Sequence, residues 1–252
     1  VDITYPITIA AAKAWFRLSD MKITMTGVEN IPREGGALLA INHLSYVDYV
    51  MAGFPGERQG RLTRFMAKKE VFDHPVGGPV MRTFKHISVD RSAGLESMER
   101  AESALRAGEV VGIFPESTIS QSFLIKDLKT GAVRIAARAD VPLIPIVLWG
   151  THRIFTKGRK VDLSRHQRIG IEVGEPMRPT GEDPVAETAE LRSRMESMLE
   201  RLILAEEDRP EGAWWLPQKY GGSAPTIEEA AAAYAEERRL RAQRKAAKRK
   251  AK

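Results

Sequence analysis

Among its 252 residues the chain has no cysteine. That absence excludes disulfides, thiolate zinc sites and cysteine nucleophiles, and it is compatible with a reducing compartment. Long hydrophobic runs are missing too. The longest uncharged apolar stretch near the start, Ile3 to Ala12, contains a proline and reaches about half of the ~20 residues that a membrane-spanning helix needs. No basic n-region with a cleavage site is found. The fingerprints G-x-S-x-G, G-x-G-x-x-G and G-x-x-x-x-G-K-S/T are absent, which removes the nucleophile elbow, the dinucleotide loop and the P-loop from consideration. A cytosolic protein is expected, with attachment to a membrane surface left open.

Charge is present but uneven. Of the formal +6, the stretch from Glu228 to Lys252 carries +5, nine Lys or Arg against four Glu. This stretch is rich in strong helix formers, with Glu first and Lys/Arg last, as the helix dipole favours. Having almost no apolar face, it is expected to project into solvent as a basic helical tail, residues 227–252. Tyr234 is its one aromatic residue and the rest of the chain is nearly neutral, so no nucleic-acid partner is expected.

At the other end, residues 1–24 form an N-terminal amphipathic helical segment. Ile7, Ala11, Ala14, Trp15 and Leu18 recur at nearly helical spacing, with Lys13 and Arg17 elsewhere on the wheel. Packing on the core and lying in a membrane interface are both open for it. Between the two ends, residues 25–226, short apolar runs alternate with helical patterns. The runs are GALLAIN (36–42), RFMAKK (64–69), HISVD (86–90), VVGIFPE (110–116), PLIPIVLWG (142–150) and RIGIEVG (168–174). Helices are expected at Ser45–Phe54, Gly94–Ala107, Gly131–Ala139 and Asp183–Ala205. The alternation predicts an α/β domain with a largely parallel central sheet flanked by helices. It closes in the proline- and glycine-punctuated stretch 209–226, where Trp214 and Trp215 serve either as lipid-surface anchors or as ties to the domain.

The stretch INHLSYVDYV, Ile41 to Val50, places His43 and Asp48 five residues apart. On a continuous helix these side chains diverge by about 140°. They meet only if His43 precedes the helix, and Ser45 followed by Asp48 fits an N-cap and its partner three residues on, so the helix is expected to start at Ser45. Asp48 can then fix the imidazole tautomer and leave the second nitrogen as a base. A plain capping box beside a loop histidine fits the same residues. In VVGIFPESTIS a buried strand ends at a proline and delivers Glu116 to its carboxyl end, where open α/β sheets bind ligands.

Asn42-His43-Leu44-Ser45-Tyr46-Val47-Asp48 resembles the N-H-x-S-x-x-D signature of the glycerolipid acyltransferase family, whose best-known members are 1-acylglycerol-3-phosphate acyltransferases. MAKKEVF (66–72), HISVDR ending at Arg91, FPESTIS (114–120) and VPLIPIVLWG (141–150) resemble its later blocks in order. The resemblance implies that a fatty acyl group passes from acyl-CoA or acyl-carrier protein to a lysophospholipid hydroxyl. His43 is then the general base and Asp48 its orienting partner; Glu116 holds the glycerol portion, Arg91 and Lys68 bind the phosphate, and Ser117 and Thr118 belong to the same substrate-binding block. No cofactor and no metal are implied, since the thioester enters as a co-substrate. A protein held peripherally at the cytoplasmic face of an anionic membrane follows from this substrate class.

Two departures stand out. Ser117 occupies the family's usual glycine position, so either the turn avoids positive φ or the pocket is tighter. Ile119 replaces the usual arginine, which removes a phosphate-binding cation and keeps other acceptors open: glycerol 3-phosphate, another lysophospholipid or a glycolipid. Lys126 or Lys129 is the candidate replacement. A thioester hydrolase using His43 to activate water is the alternative from another class. His74, His86, His152 and His166 fall in no motif and are expected to be structural or solvated.

Overall fold

The structure, a computed structural model, describes residues 4–75, 77–90 and 94–250. Among the described residues seven strands form one sheet: β1 (Lys22–Thr26), β2 (Ala37–Ile41), β3 (Thr63–Lys68), β4 (Ile87–Val89), β5 (Val110–Ile113), β6 (Leu143–Trp149) and β7 (Arg168–Val173). Their spatial order is β1-β7-β6-β2-β5-β3-β4. Every neighbouring pair is parallel except β6 with β7, so the expected largely parallel α/β sheet is the one observed. All six apolar runs are strands. β1 was not foreseen: its Lys22, Thr24 and Thr26 are exposed and only Ile23 and Met25 turn inward, a pattern too short and polar to stand out from a loop.

The helices are α1 (Thr4–Leu18), α2 (Asp48–Met51), α3 (Gly53–Arg58), α4 (Lys69–Phe72), α5 (Gly77–Thr83), α6 (Gly94–Arg106), α7 (Gly131–Ala139), α8 (Thr151–Ile154), α9 (Pro184–Leu204) and α10 (Ile227–Lys250). Helices α6, α7 and α9 lie where periodicity put them. Asp183 caps α9 by accepting from the amides of Val185 and Ala186, with Pro184 in the first turn. The helix expected from Ser45 begins instead at Asp48 and is interrupted at Ala52.

The central strands are buried on both faces and therefore read as continuous apolar runs. In β2, Leu38 and Ala40 pack with α6, α7 and α9, while Ala37, Leu39 and Ile41 pack with Phe16 of α1, Met51 of α2 and Phe54 of α3. Strand β6 divides in the same way, Leu143, Val147 and Trp149 against Ile144, Ile146 and Leu148. Burying one such side chain stabilises the fold by about 1.5–3 kcal/mol. With both faces covered, the carboxyl edge of the sheet is left as the place for loops and chemistry.

At the amino end the structure decides what the periodicity left open. In α1 the side that packs is Tyr5, Ile9, Ala12 and Phe16, joined by Trp15. Tyr5 hydroxyl donates to the Thr63 carbonyl at 2.9 Å and Phe16 lies 5.1 Å from Phe54. Of the expected stripe, Ile7 is 63% exposed, Leu18 77% exposed, and Ala11 and Ala14 also face solvent. The helix is apolar on two sides, and the side with the larger rings wins the core.

Residues 227–240 of the tail are largely exposed, as expected, apart from one stripe. Thr226 and Glu229 form a capping box at the start of α10, at 2.8 and 3.1 Å. Ala230, Tyr234 and Glu237, spaced as one helical stripe, are then half-buried rather than solvated. Trp214 and Trp215 are ties: Arg159 lies 4.3 Å over the first ring and Arg153 4.6 Å over the second. No helix among the described residues is long and apolar enough to cross a membrane.

Candidate active site

β2 ends at Ile41, and the next residues turn out of the sheet at its carboxyl edge. Asn42 keeps the turn attached. Its side-chain amide donates to the Leu148 carbonyl at 3.0 Å and accepts from the Leu148 amide at 2.7 Å, extending the β2–β6 ladder by one side chain after the main chain has left it. Sequence reasoning assigned Asn42 no role, although its place beside a histidine at a strand end was a usable signal.

His43 follows, with Nδ1 2.9 Å from Oδ2 of Asp48. The same oxygen accepts the amides of Leu44 and Ser45, both at 2.7 Å. The two readings of the sequence are thus one structure, because the carboxylate that binds the Ser45 amide in half of a capping box also holds the imidazole. Ser45 turns elsewhere, donating to the Phe155 carbonyl at 2.6 Å and accepting from Val47, which is why the helix begins three residues late. Asp48 is fully buried, and its Oδ1 finds no hydrogen-bond partner among the described residues. With Oδ2 accepting two amides, Nδ1 is the donor to it and Nε2 is left as an acceptor. Nε2 makes no hydrogen bond among the described residues.

An aromatic wall fixes the ring plane. His43 lies 4.4 Å from Phe114 and 5.8 Å from Tyr49, edge-on to the latter, and Phe65 lies beneath both. Gly112 in β5 makes room for Phe65: a Cβ there would sit 2.7 Å from that ring.

The β2–β5 register pairs Ala40 with Ile113, and three residues onward this sets His43 level with Glu116. Glu116 Oε1 accepts the His43 amide at 2.8 Å and Oε2 the Lys126 amide at 3.1 Å. Burial pushes its carboxyl up to about 7, against the pull of those two amides. Ser120 donates its amide to the His43 carbonyl at 2.7 Å, so the loop after β5 grips His43 at both its amide and its carbonyl. Ser117 stands in this loop at φ 63°: the turn keeps the left-handed conformation, with serine in it. Thr118 is half-buried, and its carbonyl accepts from Nζ of Lys126 at 3.1 Å. On the other side, Thr156 donates to the Leu44 carbonyl at 2.6 Å.

Lys68, the last residue of β3, is exposed at the same edge, two strand positions from β2, about 10 Å across the sheet. Arg91, in the segment after β4, lies outside the described residues. The structure therefore joins His43, Asp48, Glu116, Ser117 and Thr118 into one cluster and leaves Lys68 at its flank. The other histidines make structural contacts. His86 accepts the Phe65 amide at 3.1 Å, His152 is buried 4.3 Å from the Phe123 ring, His74 accepts from Gly77 and His166 meets Asp20 on the surface.

This constellation, a tautomer-fixed imidazole with an open nitrogen at a sheet's carboxyl edge, can take a proton from a hydroxyl or a water. Comparison with known proteins narrows its setting. The acyltransferase family model matches residues 22–149, which includes every residue of the cluster. The 1-acyl-sn-glycerol-3-phosphate acyltransferase of Bacillus subtilis is 30% identical over 69% of this chain and 86% of its own length. A chloroplastic enzyme of the same name from Arabidopsis thaliana is 29% identical over 71% of this chain, which spans only 51% of that relative. The crystal structure of the 1-acyl-sn-glycerophosphate acyltransferase PlsC from Thermotoga maritima shares the fold, with a TM-score of 0.62 and 23% identity over 77% of each chain. By the family match and the extent of the Bacillus likeness, the chain belongs to the acyltransferase family, of the 1-acylglycerol-3-phosphate acyltransferase-like kind.

Proposed function

We propose that this chain moves a fatty acyl group from acyl-CoA, or from an acyl-carrier protein, to the free hydroxyl of 1-acylglycerol 3-phosphate in phospholipid biosynthesis. The observation that carries the proposal is the 2.9 Å contact between His43 and Asp48 with Nε2 left open. Nε2 takes the hydroxyl proton as the oxygen attacks the thioester carbonyl carbon. When the intermediate collapses, the carbon–sulfur bond breaks and the imidazolium returns the proton to the departing thiolate. A thioester is already activated, so no acyl-enzyme and no cofactor are needed; proton removal by a positioned imidazole contributes about 10²- to 10⁴-fold.

Glu116 serves this reaction by holding the His43 main chain, and Ser117 and Thr118 border the acceptor on the same loop. Lys68 and Arg91 supply cations to an anionic substrate group. The exposed stripe of Ile7, Ala11, Ala14 and Leu18 on α1 supports peripheral seating at the cytoplasmic face of an anionic membrane, with apolar insertion assisted by the basic end of α10.

The test is an assay of the purified protein with lysophosphatidate, glycerol 3-phosphate and other lysolipids against palmitoyl and oleoyl donors on both carriers, with His43→Ala as control. Diacylglycerol 3-phosphate as the dominant product is expected. Free fatty acid in its place identifies a hydrolase, and a different acylated lipid identifies a different acceptor.

A further inference from the structure

The chain between α8 and β7 lies at the catalytic edge of the sheet. Strand β6 runs parallel to β2, and β7, antiparallel to β6, starts from the edge where β6 ends, with Trp149 paired to Gly170. The amino end of this loop is stitched to the turn that carries His43. The Phe155 carbonyl accepts the Ser45 hydroxyl at 2.6 Å and the Tyr46 amide at 3.1 Å, and the Thr156 hydroxyl donates to the Leu44 carbonyl at 2.6 Å. Its carboxyl end is tied to the end of α1. There the His166 amide donates to the Ser19 carbonyl at 2.9 Å, and the His166 ring meets Asp20 at 2.8 Å.

Between these ties residues 158–166 are all exposed. Two of them are aliphatic, Val161 at 52% and Leu163 at 62% exposure. The loop is not slack at this point: the Asp162 amide donates to the Ile154 carbonyl at 2.8 Å, and the Asp162 carboxylate accepts the Ser164 amide at 2.8 Å. It is held with its aliphatic side chains in solvent. At the two tied ends, Tyr46, 4.6 Å from the Phe155 ring, and Leu18 of α1 are exposed as well.

Clustered apolar side chains kept in solvent mark a surface that is covered in use. The charges say by what. Lys157 and Arg168 are paired with Glu237 and Glu207, and Arg159 lies over Trp214. Lys160 and Arg165, exposed on either side of Val161 and Leu163 in sequence, make no ion pair among the described residues, and Asp162 is the one acid from Phe155 to Gln167. Aliphatic side chains flanked by cations suit the boundary of an anionic bilayer, where the former enter the acyl region and the latter meet phosphates. A protein partner needs a hollow matched to two aliphatic side chains, whereas a fluid bilayer needs only that they project.

We propose that residues 158–165 form a lipid-surface anchor, in which Val161 and Leu163 enter the interface of an anionic membrane while Lys160 and Arg165 meet its phosphate groups. Because the loop is bonded to Leu44, Ser45 and Tyr46, the anchor sets the position of His43 relative to the lipid. It adds a contact at the catalytic edge itself, beyond those of α1 and α10, and rests on the acyl-transfer reading only for the acceptor being a lipid.

A dye reads insertion in the full chain. The sequence has no cysteine, so Leu163→Cys takes a single polarity-sensitive nitrobenzoxadiazole label. Vesicles of phosphatidylcholine and phosphatidylglycerol are expected to brighten and blue-shift it, and lipids brominated on the acyl chain to quench it. Val185→Cys is the reference, exposed at the start of α9. The later residues Met198 and Leu202 lie against Gly174 and Gly170, so α9 climbs toward the catalytic edge and leaves Val185 far from it; a label there should not respond. A silent label at position 163 on protein that co-sediments with the vesicles overturns the anchor. A shift without vesicles overturns it too, identifying a second copy of the chain if it grows with protein concentration and a protein partner if it needs acyl-carrier protein.

Side-chain removal gives the second test. Val161→Ser combined with Leu163→Ser is expected to weaken vesicle partition about tenfold and to slow acylation of vesicle-borne lysophosphatidate, while a short-chain, monomeric lysophosphatidate is acylated as by the wild type. Lys160→Gln combined with Arg165→Gln should weaken binding to anionic vesicles about fivefold per charge and leave neutral ones as before. Unchanged partition in the first variant, or an equal loss on the monomeric acceptor, overturns the proposal, and unchanged binding in the second overturns the part given to the cations. A wild-type protein that does not acylate lysophosphatidate while the label still inserts refutes the acyl-transfer reading and leaves the anchor standing.

Discussion

Glu116 Oε1 accepts the backbone amide of His43 at 2.8 Å, so an acid delivered by one strand holds in place the base delivered by its neighbour. Cooperation of this kind, between groups 73 residues apart, sets the consequences of substitution at the site.

Substituting the dyad separates proton transfer from positioning. His43→Ala is expected to lower kcat by about 10²- to 10⁴-fold with little change in stability. Asp48→Asn should cost less than that, because the amides of Leu44 and Ser45 hold the amide oxygen toward His43 and preserve the tautomer. Only the stabilisation of the imidazolium is lost. Asp48→Ala removes the acceptor for both amides and should also cost about 1–3 kcal/mol for each one left unpaired. Thermal melting beside kcat ranks the three; an Asp48→Asn loss equal to that of Asp48→Ala contradicts the pinned orientation.

The pH dependence of stability includes contributions of opposite sign from Glu116 and His152. Burial raises the Glu116 carboxyl to about 7 from an ordinary 4.5. Between those values the folded chain keeps a proton that the unfolded chain has released, so this group lowers stability as pH rises through the interval. Glu116→Gln should abolish that slope, as read from urea midpoints across the interval, and should lower kcat because one of the two amide contacts is lost.

Burial, assisted by the nearby Arg153 charge, lowers His152 from 6.5 to about 3. Here the unfolded chain protonates first, and stability falls as pH drops from about 6.5 toward 3. His152→Phe keeps the stack on Phe123 and gives up the 3.0 Å contact with the Trp215 carbonyl. It should lose some stability at neutral pH and become less acid-sensitive than the wild type. Equal acid sensitivity in the two proteins would rule out His152 as the titrating group.

Asn42→Ala leaves the amide and carbonyl of Leu148 unpaired inside the sheet. A loss of about 2–4 kcal/mol is expected, together with lower activity, because His43 is the next residue. Chemical denaturation measures the first and kcat the second. A stable but inactive variant would instead point to direct participation of the amide in the reaction.

Ser117 holds a left-handed backbone at φ 63°. Ser117→Gly is expected to stabilise the protein by about 0.5–1 kcal/mol, the relief of the Cβ clash less the greater freedom of glycine in the unfolded chain. Ser117→Val should destabilise it by about 1–2 kcal/mol, since a β-branched residue tolerates that region least. Denaturation midpoints of the two variants on either side of the wild type are the expected result.

Local patterns in the sequence determined much of this protein. Runs of apolar residues buried on both sheet faces need no partner to be recognised, so β2 to β7 and helices α6, α7 and α9 were legible. The spacing of His43, Asp48 and Glu116 within their blocks was legible as well. What escaped was whatever depends on a comparison between distant surfaces. Helix α1 offers two apolar sides, and only the presence of Phe54 and the Thr63 carbonyl decided that Tyr5 and Phe16 turn inward while Ile7 and Leu18 stay outside. β1 gains its place by pairing with β7 rather than by its own pattern. Asn42 acquires a task only when β6 arrives beside it, and one stripe of α10 is covered only because Lys126 and Lys157, brought together by two unrelated loops, meet Tyr234. Local periodicity reports which face of an element is apolar; which of several faces is covered is a free-energy difference between long-range contacts, and that difference exists only in the folded chain.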